Sequence, residues 1–129
     1  MATSYALGRG GEAVAGLVVR ICLIPDGVVV SVDGEVDLAT VTQLRDHLRA
    51  LPDGDVIVDL SGVRFLAVVG MRALLELQGQ RHHAGARVVL AATDGPITQV
   101  LKAAGCHATF TVVDCVERAK TLIDERGPS

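Results

Sequence analysis

Aromatic side chains are nearly missing from this 129-residue chain: Tyr5, Phe65 and Phe110 are all it has, and there is no tryptophan. A binder of single-stranded nucleic acid needs stacking platforms along a basic groove. Neither is present, because the net charge is -3 and the two signs are interspersed. No apolar run approaches the roughly 18 residues that span a bilayer. The first residues also lack the basic and apolar regions of a secretory signal. The composition therefore predicts a soluble, cytoplasmic protein that engages neither nucleic acid nor membrane.

Cysteine is scarce and unpatterned. Cys22, Cys106 and Cys115 are odd in number and form no C-x-x-C pair. Two readings stand: incidental thiols in a reducing compartment, or a redox switch joining Cys106 and Cys115. Patterns of catalysis are missing as well. There is no G-x-S-x-G elbow, no H-E-x-x-H and no phosphate loop. Gly8, Gly10 and Gly11 follow no strand and precede no Lys-Ser/Thr. His82 and His83 are adjacent, so on a helix they diverge by about a hundred degrees. His47 falls on the polar face of the first helix, and His107 follows the third. No enzyme, metal site or cofactor is expected.

What remains is aliphatic. Half of the residues are hydrophobic and 21% are charged, as in a folded globular domain. A core built from Val, Leu, Ile and Ala suits a sheet covered by helices on both faces. Residues 1–16 are small, glycine-rich and aperiodic, and read as a flexible tail. One domain is expected over 17–125, followed by a short tail over 126–129.

The elements follow from periodicity. Leu17 to Ile24 and Val28 to Val32 read as strands joined by the turn Pro25-Asp26-Gly27. Thr40 and Gln43 have capping-box spacing before a helix with Val41, Leu44, Leu48 and Leu51 on one face. Asp55 to Leu60 reads as a buried strand, and Ser61 to Leu66 as a connection to a second helix. That helix carries Met71, Leu74, Leu75 and Leu77 and fades near Gly85. A strand at Arg87 to Ala91 comes next. Ile97, Val100, Leu101 and Ala104 form a helical stripe closed by Gly105 as a left-handed cap. Phe110 to Val113 is a last strand, and Val116, Ala119 and Ile123 face inward from a last helix. The order β-β-α-β-α-β-α-β-α predicts an α/β domain: a mixed, mostly parallel sheet of four or five strands, an antiparallel opening hairpin and about four helices. Asp37 and Asp59, each near a strand end where loops gather, are held as candidate functional carboxylates or turn caps.

Two segments in this order resemble the STAS family of sulfate transporters and anti-sigma factor antagonists. Gly34-Glu35-Val36-Asp37-Leu38-Ala39-Thr40 is similar to the family's Gly-Glu-hydrophobic-Asp-x-x-Thr signature. Val58-Asp59-Leu60-Ser61-Gly62-Val63-Arg64-Phe65-Leu66, followed by Ala67-Val68-Val69-Gly70-Met71, is similar to its Asp-Leu-Ser-x-Val-x-Phe-hydrophobic-Asp-Ser-Ser-Gly-Leu segment. The resemblance implies a STAS-like fold and a partner switch, in which the antagonist docks an anti-sigma factor that is often a kinase. It implies binding residues in Asp37, Thr40, Leu66, Ala67, Val68, Val69, Gly70, Met71 and Arg72. It also implies that Val69 occupies the phosphoacceptor position, so the usual serine is lost and phosphorylation there is excluded. The segment 66–71 would then extend an apolar patch suited to a partner or to a homodimer. Ser61, Thr40 and Thr42 are the remaining nearby hydroxyls. The alternatives are a small-ligand sensor for a nucleotide or lipid, and a regulator controlled by Cys106 and Cys115.

Overall fold

The computed structural model describes residues 16–91, 95–105 and 109–125. The expectations for the two tails fall on residues 1–15 and 126–129, outside that range, except that Gly16 forms a turn. The elements are β1 (Leu17–Ile24), β2 (Gly27–Val36), α1 (Val41–Arg49), β3 (Asp55–Leu66), α2 (Val68–His83), β4 (Val88–Ala91), α3 (Gly95–Ala103), β5 (Thr111–Val113) and α4 (Val116–Glu125). The strands lie in the order β1-β2-β3-β4-β5. The β1–β2 pair is antiparallel, and β2–β3, β3–β4 and β4–β5 are parallel. The α/β reading with an antiparallel hairpin holds.

Alternation of side chains along each strand sends two apolar sets to opposite faces. Val28, Val30, Val56, Val58, Val88 and Leu90 meet Leu44 and Leu48 of α1, Leu74 and Leu77 of α2, and Ile97 and Leu101 of α3. On the other face Val29, Ile57 and Val89 meet Ala119 and Ile123 of α4. Among the described residues, one face thus carries three helices and the other carries one. The near-continuous aliphatic run of β3 reflects burial from both sides. In α2 the buried Gly70, Ala73, Leu74 and Leu77 keep an i, i+3, i+4, i+7 stripe. Leu75, expected on that face, lies off the stripe and is partly exposed. Gly105 closes α3 at φ 75°, its N–H donating to Lys102 O at 3.0 Å, as expected of a left-handed cap.

Two expectations need correction. β2 runs to Val36 and β3 to Leu66, so the Gly-Glu-Val and Ser61 to Leu66 stretches are strand, not connection. The pairing absorbs irregularities that hide this from the sequence. Ser31 lies beside Asp59 but Asp33 beside Gly62, and Gly34 lies beside Val63 but Glu35 beside Phe65. β3 therefore carries two bulges, each adding one residue.

Candidate functional site

The bulges decide what the carboxyl ends of β2 and β3 present. They keep Val63 and Leu66 on the helix-covered face, where both are buried. Phe65, beside Glu35, is turned outward and is 52% exposed. Arg64 occupies an added position, and its guanidinium bonds Glu35 Oε2 through Nη2 at 2.9 Å and Nε at 3.1 Å. Further down β2 and β3, Asp33 pairs with Arg20 at 2.7 Å and Asp59 Oδ1 accepts from Ser61 Oγ at 2.7 Å. Asp59 lies within β3 at its first bulge and not near a strand end as expected, and its Oδ1 braces the bulge by accepting from Ser61 N as well, at 3.0 Å.

Beyond Val36 the chain turns through Asp37–Thr40 into α1. The expected capping box on Thr40 and Gln43 is not made: Thr40 forms no side-chain cap, and Gln43 Nε2 crosses to Leu17 O at 3.2 Å. The box sits three residues earlier. Asp37 Oδ1 accepts from Ala39 N at 2.9 Å and Thr40 N at 3.2 Å. Thr40 Oγ1 reaches back to accept from Asp37 N at 3.0 Å and donates to Glu35 O at 2.8 Å. Val41 N closes the turn on Asp37 O at 2.8 Å. Satisfying these groups fixes the turn and leaves Leu38 at its tip, 80% exposed. Thr40 itself is buried and supports the turn from beneath.

The start of α2 is built differently. Ala67 is its extended N-cap, with no side-chain cap bond and no acidic residue in the first turn. Backbone holds it instead, through Ala67 N to Val36 O at 2.8 Å. Close approach then depends on Gly70. A Cβ there would lie 2.5 Å from Val36 Cγ1 and 2.8 Å from Leu66 Cδ1, below any ordinary contact. At the β1–β2 pairing, Gly34 has φ 113°, and a Cβ there would meet the Gly16 carbonyl oxygen. Gly70 thus lets α2 seat directly on the side chains of Val36 in β2 and Leu66 in β3.

The anticipated patch over 66–71 is split by this docking. Leu66, Gly70 and Met71 are buried and serve the core. Ala67 and Val69 are partly buried, and Val69 packs on the core. Val68 is 62% exposed, and Arg72 is exposed. The apolar surface at this rim is instead Leu38, Phe65 and Val68. Val36 and Leu66 are register partners at the two strand ends, and Leu38 and Val68 follow them by two residues each, in the turn before α1 and at the start of α2. Sequence reasoning missed Leu38 and Phe65 as contact residues. The one available signal was a large apolar side chain at the tip of a polar turn.

The other candidates lie elsewhere. Cys115 is exposed just ahead of α4, while Cys106 and His107 lie outside the described residues. His47 Nδ1 is 2.8 Å from Gln43 O. His82 and His83 are exposed at the end of α2, and among the described residues no three His, Cys, Asp or Glu gather as a metal site. No helix among those residues is long and apolar enough to cross a membrane. A cleft of about 1050 Å³ opens at the opposite end of the sheet, lined by Asp26, Asp53, Asp55 and Asp124 with Arg49 and Arg81. None of residues 66–72 lines it. Arg81 Nη1 is committed to Pro52 O at 2.7 Å and Gly54 O at 2.9 Å. Asp26 is held above the ordinary carboxylate range, first by a hydrogen bond with Asp124, then by desolvation and the charges of Asp124 and Asp55.

Comparison with known proteins places this geometry. The family described as Mlab, STAS domain, matches residues 23–114. An anti-sigma factor antagonist from Mycobacterium paratuberculosis has the same fold, with a TM-score of 0.76 at 22% identity over 88% of this chain and 97% of that one. The anti-sigma factor antagonist SpoIIAA in its unphosphorylated form gives 0.63 at 17% identity, over 84% and 98%. The Bacillus cell fate determinant SpoIIAA in its phosphorylated form gives 0.61 at 15%, over 81% and 98%. No curated protein matches the chain.

Proposed function

The chain belongs to the STAS domain family, and we propose that it is a binding module of the anti-sigma factor antagonist type. It docks an anti-sigma factor through the rim described above and so controls sigma-factor-dependent transcription. The observation that carries this reading is that Leu38, Phe65 and Val68, half of the six exposed large hydrophobics among the described residues, lie at or within two residues of the carboxyl ends of two paired strands. Such a cluster, rimmed by the Glu35–Arg64 pair, Asp37 and Arg72, has the apolar centre and polar border of a partner interface. The module acts by binding, without catalysis or cofactor, in the cytoplasm.

Regulation follows from the first turn of α2. Ala67, Val68 and Val69 carry no hydroxyl, so no phosphate is accepted at Val69 and the docked state is not expelled by that route. Thr40 is buried with its hydroxyl engaged, which withholds it from a kinase. The test is to mix the purified chain and ATP with the kinase-type anti-sigma factors of its source cell. A stable complex without phosphate on the chain is expected. No complex with any of them removes the docking reading. A complex lost as Ser61 or Thr40 takes up phosphate removes the unregulated version.

A further inference from the structure

We propose that the docked anti-sigma factor lays an α-helix bearing a carboxylate along the outer face of α2, over Val68, Arg72, Leu75 and Gly79. The inference rests on the docking reading and extends it from the rim along one helix. Spacing of i, i+4, i+7 and i+11 puts these four residues in one line, opposite the buried stripe of Gly70, Ala73, Leu74 and Leu77. The line is about 16 Å long at a helical rise of about 1.5 Å per residue. It begins at Val68, which belongs to the rim, and passes Leu75, another of the exposed large hydrophobics.

The solvent face of a helix is ordinarily polar. α1 exposes Thr42, Asp46 and Arg49, and α4 exposes Glu117, Arg118 and Thr121. The line on α2 holds a single charge in about three turns. Gly79 has no explanation inside the fold. Short of proline, glycine is the least favourable residue in a helix interior, and it is kept where a neighbour must come close. Gly70 has such neighbours in Val36 and Leu66, whereas a Cβ at Gly79 would meet nothing within 4 Å. The close neighbour is therefore external. A helix backbone seated at Gly79 fits the straight line, with the two axes about 8 Å apart, the near end of the usual range.

Arg72 selects the occupant. Among the described residues it makes no hydrogen bond or ion pair. A second copy would not supply its counter-charge. Antiparallel packing of two α2 helices along this line sets Arg72 against Leu75, and the adjacent Glu76 is held by Arg45 through both carboxylate oxygens at 3.2 Å. A foreign helix with Asp or Glu among its apolar contact positions does supply it.

Gly79→Gln drives stability and binding in opposite directions. Glutamine is the better helix former, so the melting temperature of the free chain should rise by about 3 °C. Affinity for the anti-sigma factor that forms the complex should fall about tenfold by titration calorimetry. Arg72→Glu should weaken binding to a similar degree and lessen its dependence on salt. Hydrogen exchange of the complex should find the newly protected segment of the anti-sigma factor in a helix. A complex weakened by Val68→Asp but indifferent to Gly79→Gln would keep the rim and remove the helix along α2. Native binding by Arg72→Glu, or protection of a strand or loop in the anti-sigma factor, would do the same. A melting temperature that fails to rise in Gly79→Gln would show that the fold itself requires the glycine and overturn the external neighbour. Absence of any complex with the native chain removes the docking reading, and this inference with it.

Discussion

The two ends of the sheet are made of opposite materials. At the carboxyl ends of β2 and β3, Leu38, Phe65 and Val68 stand in solvent near a helix start that Gly70 seats closely on Val36 and Leu66. At the other end Asp26, Asp53, Asp55 and Asp124 surround a cleft with Arg49 and Arg81. Drying the first surface releases apolar area from water, which favours association. Drying the second would strip charges of hydration, which opposes it unless each finds a partner. The comparison teaches that exposure alone does not select a docking face; the cost of removing water does.

The largest effect should come from breaking the packing beneath the apolar end. Gly70→Val places three carbons where Val36 and Leu66 already stand. Overpacking of this kind costs about 3 kcal/mol, and chemical denaturation would register it. If the loss is below about 0.5 kcal/mol, α2 is not seated as described. Next in size is Val68→Asp, which leaves the core untouched. Stability should hold within about 0.5 kcal/mol, while affinity for the anti-sigma factor should fall about thirtyfold, roughly 2 kcal/mol. Equal affinity by titration calorimetry would move the docking surface away from this rim.

Asp37→Ala probes the turn that carries Leu38. It deletes the acceptor for Ala39 N and Thr40 N, and loss of a cap costs about 1 kcal/mol. Both stability and partner affinity should drop, because the tip loses its support. A stability loss with affinity intact would show that Leu38 does not contribute to binding.

How much of this was legible beforehand depends on whether period or local geometry ruled. The order of elements was readable because Leu44 and Leu48, or Ile97 and Leu101, repeat with helical spacing and are buried as that spacing demands. Ser61-Gly62-Val63-Arg64-Phe65-Leu66 was not readable as strand. Two bulges break its alternation, and Ser-Gly at its head imitates a turn. Asp37 and Thr40 compete with Thr40 and Gln43 for the same capping spacing, and the choice lies in bonds the spacing does not show: Thr40 N to Asp37 Oδ1, Asp37 N to Thr40 Oγ1, and Gln43 Nε2 to Leu17 O. The apolar run Leu66 to Met71 showed which segment mattered, but not that Leu66 and Met71 turn inward while Val68 turns out.

The smallest effect belongs to the charged end, and it carries a distinctive pH signature. Asp26 is raised above its ordinary value because its carboxyl shares a hydrogen bond with Asp124, within reach of Asp55. A carboxyl raised on folding means that the folded chain holds this proton more tightly than the unfolded one. Its stabilising contribution is complete below the ordinary carboxylate range and fades as pH rises through the folded value. Above that, two carboxylates face each other and the contribution is gone. Asp26→Asn keeps a donor toward Asp124 at every pH and adds no charge. The variant should therefore gain on the native chain as pH rises from about 3 to 7, with the difference levelling once Asp26 is ionised. Urea midpoints compared across that range isolate this group, because the other carboxylates titrate in both proteins. A difference that stays flat or reverses would mean that Asp26 and Asp124 share no proton.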